Sequence, residues 1–357
     1  MKAVAKTAGA HGAIEMIDVP MPTRQAGEAI VRITAAGICG TDVSIWLWRP
    51  AIAAAYAPSF PVIVGHEFSG TVEDCDANDR VARGDAVVVN PQIACGACFY
   101  CALGEQTQCD RRKLMGGHID GGWTEYVTVP IRNLIRVPSH VNPAVVPLVE
   151  PLSVAVHSVC QRVRPRPGDL VVVMGAGPIG LMNAILAKAA GASHVLVSGL
   201  AQDAARLRLA EDLGMVPVNV GAENLLDAVQ RFAARGADIV YECTGAPTGM
   251  AEAARVVRKA GRVALIGLPG TPSEIETTPV VMRQIELIGT RGYNDSTWPL
   301  TIKMLDRITD DALKLVTHQV PLHDYQRALE LVHTGQATKV ILRPEFGAAR
   351  PPSDAPA

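Results

Sequence analysis

Four cysteines fall at Cys95, Cys98, Cys101 and Cys109, a C-x2-C-x2-C-x7-C pattern. Thiols at steps of three come within reach of one another in a short lobe, and four thiolates close a tetrahedron around one zinc ion with no position left over. Such a site holds structure and does no chemistry. Four unrelated core cysteines would not repeat at steps of three. An iron–sulfur cluster uses similar spacing, but a single set of four suits zinc better. A second set is spread along the chain: Cys39 in Gly37-Ile38-Cys39-Gly40-Thr41-Asp42, then His66-Glu67, then Glu150. One thiolate, one imidazole and one or two carboxylates leave a zinc ion with an open position, which a catalytic metal needs. Taken singly, Cys39 reads as a small core residue, His66 as a satisfied loop histidine and Glu150 as a surface carboxylate. The glycines around them and a third motif reverse that balance.

The third motif runs Val171-Val172-Val173-Met174-Gly175-Ala176-Gly177-Pro178-Ile179-Gly180. A G-x-G-x-x-G alone is weak. Here it follows an apolar strand and opens an apolar helix, the setting in which it binds a dinucleotide pyrophosphate at a helix N-terminus. The ribose-reading carboxylate belongs about 20 residues on, at the end of the second strand. Ser198-Gly199-Leu200-Ala201-Gln202-Asp203 stands there. Gly199 takes the expected acidic place, and Asp203 reads equally as the ribose partner or as the N-cap of the helix from Ala204. Without a carboxylate at 199, NADP is not repelled. The nearest cation is Arg206, one turn into that helix, so a modest preference for NAD is expected.

These residues need a scaffold, and the chain has room for one. It holds 357 residues, enough for about two domains, with 48% hydrophobic and 19% charged residues, a globular composition. A net charge of −2 provides no footprint for nucleic acid or an anionic membrane. Met1–Asp18 lacks the continuous apolar core of a signal peptide. The apolar run 170–187 holds four glycine or proline residues, fitting strand, turn and helix better than a membrane span. A cytoplasmic protein is the expectation. The first 150 residues read as short β segments, among them Ala29–Ile33, Gly70–Glu73, Asp85–Val89 and Tyr126–Pro130. From Asp169 apolar runs alternate with helical stretches: strands at 170–174, 195–198, 237–241 and 262–266, helices at 180–190, 204–213, 225–235 and 250–259. That alternation predicts an α/β doubly wound parallel sheet. After about Tyr293 the pattern is helical until a last strand at 339–342, and 347–357 reads as a loose tail.

Together the motifs, with Val149-Glu150-Pro151-Leu152 and Thr297-Trp298-Pro299, resemble the zinc-dependent medium-chain dehydrogenases, similar to sorbitol, 2,3-butanediol and threonine 3-dehydrogenases, over nearly the whole chain. The resemblance implies a GroES-like, β-rich catalytic domain over 1–152 and 293–346, carrying a zinc lobe near 95–109, and a Rossmann domain over 153–292. It implies two zinc ions per chain, NAD with NADP not excluded, a secondary alcohol or polyol as substrate, and a homodimer or homotetramer. Cys39, His66, Glu67 and Glu150 would surround the catalytic zinc, and Cys95, Cys98, Cys101 and Cys109 the structural one. Thr41 would take the alcohol's proton, and Asp42 would orient an imidazole. Gly175, Gly177, Pro178, Ile179, Gly180, Ser198, Asp203, Arg206, Thr244 and Leu268 would meet the cofactor. Ser44, Trp48, His118, Arg291 and Tyr293 would line the substrate pocket. Many relatives carry a histidine where Ser44 stands, which weakens threonine and sorbitol themselves as substrates. An amino-alcohol dehydrogenase, and a zinc-stabilised binding module without catalysis, are the alternatives.

Overall fold

A computed structural model of the protein describes residues 1–56 and 58–345; the expected tail at 347–357 lies outside the described residues. The valine-rich run becomes strand Leu170–Met174, buried along its whole length, and Pro178 opens helix Pro178–Ala189, where its fixed φ suits a first turn. The strand is central to a six-stranded parallel sheet in the order Val216–Asn219, His194–Gly199, Leu170–Met174, Ala237–Glu242, Val257–Leu265, Glu286–Gly289. Numbered along the chain, that is 3-2-1-4-5-6, the doubly wound order whose crevice opens where strands 1 and 4 diverge.

The β segments of the first 150 residues form a second sheet, in the order Leu134–Arg136, Ala86–Val89, Glu67–Cys75, Glu28–Gly37, Lys339–Arg343, Val316–Pro321, with Tyr126–Pro130 also on Glu28–Gly37. The chain therefore leaves this sheet, builds the parallel one and returns, pairing Ile341 with Gly37. Gly37 in turn pairs with Glu67. Residues from 37, 67 and 339 meet at one end of this sheet for that reason. The largest apolar cluster runs from Ala35, Val88 and Ile341 of this sheet to Val171, Val173 and Tyr241 of the other.

Three elements differ from the sequence reading. The helices expected over 225–235 and 250–259 stop at Gln230 and Val256. Residues 257–259 are extended instead, because fully buried Val257 pairs with Ala237 and Arg258 bonds Asp238 at 2.6 Å. A strand, Val316–Pro321, interrupts the helical region and pairs in parallel with Lys339–Arg343 through helix Tyr325–His333. No helix among the described residues is long and apolar enough to cross a membrane, and 170–187 is strand, turn and helix, as its glycines imply.

Candidate metal centre and cofactor crevice

Cys39 sits at the N-terminus of helix Gly40–Trp46, His66 in the turn before strand Glu67–Cys75, and Glu67 on its first residue. Donor atoms of these three lie within 4.8 Å of one another. Asp42 joins two of them: its Oδ2 accepts the Cys39 N–H at 2.8 Å, and its Oδ1 lies 3.2 Å from His66 Nδ1. The two atoms are close without sharing a hydrogen bond, and a carboxylate at that distance is placed to orient a ligating imidazole. Burial alone would depress the His66 pKa, but the Asp42 carboxylate and the Cys39 sulfur outweigh it and hold it well above the usual histidine range. Two acids and a thiol gathered around one buried imidazole ask for a cation. This donor set fits zinc. Thr41 Oγ1 stands 3.7 Å from Cys39 Sγ.

Glu150, on helix Val149–Val156, is buried near this group without joining its close spacing. Its Oε1 accepts the Tyr293 hydroxyl at 2.5 Å. Burial and then the Glu67 charge push its pKa up to about 7. Lys339, fully buried, is the cation the sequence reading missed: its Nζ pairs with Glu67 and donates to the Ile38 carbonyl at 3.0 Å. A lysine opening a last strand that runs Val340-Ile341-Leu342 before ending in Arg343, at a point the chain reaches only by pairing back onto Gly37, carries no motif of its own.

Cys95, Cys98, Cys101 and Cys109 meet in a lobe around helix Phe99–Ala102. Zinc–sulfur bonds of about 2.3 Å in a tetrahedron separate sulfurs by about 3.8 Å. Cys98 Sγ and Cys101 Sγ are 3.5 Å apart, Cys95 Sγ and Cys101 Sγ 4.0 Å, so the lobe fits the ion. Burial pushes the Cys101 thiol up to about 12, while backbone amides, Ala97 first, draw Cys95 down to about 6. Four thiolates this close repel unless a dication sits between them. All eight cysteines are free of disulfides. Cys98→Ser is expected to lower stability and soluble yield, because a closed thiolate site contributes folding energy. Thermal denaturation beside metal content checks this, and an unchanged midpoint in a variant that has lost turnover would make the lobe catalytic.

In the glycine-rich turn, Gly175 has φ +101°, and a Cβ on Gly180 would lie 1.9 Å from the Gly175 carbonyl oxygen. Only glycine fits either place. Gly177, which caps the helix ahead of Pro178 and Ile179, faces open space where a Cβ would point. That is the cradle a pyrophosphate needs. Thr244 flanks it, held by buried Glu242, whose Oε1 accepts the Thr244 N–H at 2.8 Å; Glu242 is a second residue the sequence reading missed. Ser198 is buried at the end of strand His194–Gly199, and Leu268 is exposed. Asp203 accepts the Leu200 N–H at 3.1 Å and pairs with Arg206 at 3.2 Å. Arg206 also donates to the Ala337 carbonyl at 2.7 Å.

Around the metal centre, His118 accepts the Leu114 N–H at 3.1 Å and meets the Tyr56 ring edge-on at 5.0 Å. Half-buried Arg112, from the short basic run Arg111-Arg112-Lys113 beside the cysteine lobe, lies in the field of Arg291, Tyr56 and Tyr293; burial and the Arg291 charge lower its pKa. Ser44 donates to the Gly40 carbonyl at 2.9 Å, within its own helix. Trp48 packs on Phe60 at 5.6 Å and under Lys6 Nζ at 5.2 Å.

A parallel sheet with a dinucleotide turn beside an open thiolate–imidazole–carboxylate centre defines a metal-dependent dehydrogenase. Residues 25–139 match the family described as "Alcohol dehydrogenase GroES-like domain" and 178–307 that described as "Zinc-binding dehydrogenase". L-threonine 3-dehydrogenase of Bacillus subtilis is 36% identical, covering 96% of this chain and 99% of the relative. Sorbitol dehydrogenase of Halalkalibacterium halodurans is 29% identical with the same coverage. The crystal structure of 2R,3R-butanediol dehydrogenase from Bacillus subtilis superposes with a TM-score of 0.87 at 26% identity, covering 96% of this chain and 99% of the other. The chain belongs to the zinc-dependent medium-chain dehydrogenases, with their GroES-like and Rossmann folds.

Proposed function

We propose that this chain, a zinc- and nicotinamide-dependent oxidoreductase of CH–OH groups, oxidises a secondary alcohol or polyol at the centre formed by Cys39, His66 and Glu67. The observation that carries this is the convergence of three donors within 4.8 Å beside a carboxylate that accepts the Cys39 amide and lies 3.2 Å from His66 Nδ1. When bound, zinc supplies a Lewis acid that brings a hydroxyl pKa toward 7, and the nicotinamide accepts the hydride. The residues do the rest. Asp42 fixes the Cys39 amide and the His66 ring. Thr41 takes the alcohol's proton, Glu150 stands by under its Tyr293 hydrogen bond, and the 175–180 turn holds the pyrophosphate. We assign 1–152, completed by the segment from 293, to catalysis and 153–292 to the cofactor. NAD is preferred because Arg206, spent on Asp203 and Ala337, is not offered to a 2′-phosphate. Free cysteines and a thiolate lobe suit a reducing cytoplasm, and a homodimer or homotetramer is the assembly we assign from the family.

Thr41→Val keeps the shape and removes the hydroxyl, so kcat should fall roughly 10²–10³-fold with cofactor affinity unchanged, the scale of losing a proton-transfer group. Stopped-flow formation of reduced nicotinamide reads it, and an unaltered rate would move the relay elsewhere. A second reading, an amino-alcohol such as threonine, is favoured by the 36% identical relative and by Arg112 beside Arg291, which would face a carboxylate. Ser44, bound to its own helix, offers no imidazole there. Turnover of L-threonine against a panel of diols and polyols separates the two.

A further inference from the structure

Behind Tyr293, and lined by none of the metal-centre residues, the chain forms an open cleft of roughly 810 Å³ between the cysteine lobe, strand Leu134–Arg136 and the start of helix Thr297–Leu313. None of Cys39, Thr41, His66 or Glu150 lines it. Three guanidinium groups do, those of Arg80, Arg132 and Arg136, against one carboxylate, Asp295. None of the three arginines forms an ion pair among the described residues. Two further lining residues carry buried polar atoms with no partner: Trp298 Nε1, a donor on a side chain 2% exposed, and Gln92 Oε1, an acceptor. Buried polar atoms are nearly always satisfied, and an unpaired one calls for a ligand or water. The excess positive charge calls for an anion, the indole N–H for an acceptor and the amide oxygen for a hydroxyl donor.

We propose that this cleft is a second ligand site, for a small molecule carrying a phosphate or carboxylate on a hydroxylated carbon chain. The arginines take the anionic group by charge-assisted hydrogen bonds, while Trp298 and Gln92 take the hydroxylated part. The site is one residue from catalysis: the Trp298 ring stacks edge-on against Tyr293 at 4.8 Å, the Gln92 amide lies close to the Tyr293 hydroxyl, and Tyr293 holds Glu150. A ligand there touches two neighbours of Tyr293.

Calorimetric titration of the zinc-loaded enzyme tests this, with glycerol 3-phosphate as probe and inorganic phosphate and glycerol as its separate halves. Saturable binding of glycerol 3-phosphate is expected, at least tenfold tighter than either half. It should weaken tenfold or more in Arg132→Ala/Arg136→Ala and several-fold in Trp298→Phe, which keeps the ring and loses the N–H. Circular dichroism and zinc content matching the parent establish that the variants fold. The Cys39→Ser enzyme, altered only at the metal centre, should bind the probe as the parent does. The site is overturned by no binding at millimolar probe, by binding indifferent to the arginine and tryptophan changes, or by binding lost in Cys39→Ser, which would place the anion at the metal. Inorganic phosphate binding as tightly as the probe would also refute the polyol half of the assignment.

Discussion

Cys39→Ser should lower kcat/KM by at least 10⁴-fold while NADH binding stays within a few-fold of the parent. The sulfur contributes a donor to the three-residue group, and a hydroxyl is a poor substitute for a thiolate toward zinc. Metal activation of a hydroxyl moves its pKa by several units toward 7, and each 1.36 kcal/mol is tenfold in rate, so losing the ion costs at least four such steps. Cofactor affinity is spared because the glycine-rich turn 175–180 belongs to the other sheet. His66→Ala should behave alike. Steady-state kinetics, fluorescence titration with NADH and metal analysis of the same preparation read the outcome. Two zinc ions in the parent and one in the variant are expected; a variant that keeps both and still turns over would remove Cys39 from the centre.

Lys339→Met should destabilise the protein by about 3–5 kcal/mol, the scale for breaking a buried ion pair and leaving one charge uncompensated. Lys339 and Glu67 are each 2% exposed at the side chain, so the stranded carboxylate would be left almost wholly buried. Glu67→Gln/Lys339→Met removes both charges and should recover most of the loss. Urea denaturation of the three proteins checks this. A single variant as stable as the parent would mean that Glu67 finds its compensation elsewhere, the metal being the available cation.

Much of the fold was legible because its signals are local. The run 170–180 carries its strand, its turn and its helix in eleven consecutive residues, since a buried parallel strand must be apolar and the turn must be glycine. The cysteine lobe was legible for the same reason: fifteen consecutive residues hold all four thiols. Errors fell where distant partners outweigh local propensity. Val257–Lys259 reads as helix by composition, yet becomes strand because Ala237 and Asp238, twenty residues earlier, pair with it. Lys339, Glu242 and the cleft behind Tyr293 have no sequence signature at all.

By itself the sequence determined the spacing of the cysteine lobe, the dinucleotide turn and the class of fold, because each rests on covalent spacing or on a short periodicity, whereas the scattered donor set and its chemistry rested on the resemblance to a family. Tertiary structure alone decided that Asp42, which already accepts the Cys39 N–H three residues away, would come within 3.2 Å of His66, and that Glu150 would sit under Tyr293 outside the close donor group. It also brought Lys339 onto Glu67, across more than 270 residues of chain. Such contacts depend on sheet order and register, which place a side chain within a few ångströms of another only after both sheets have closed, and no pattern of neighbours along the chain encodes that distance.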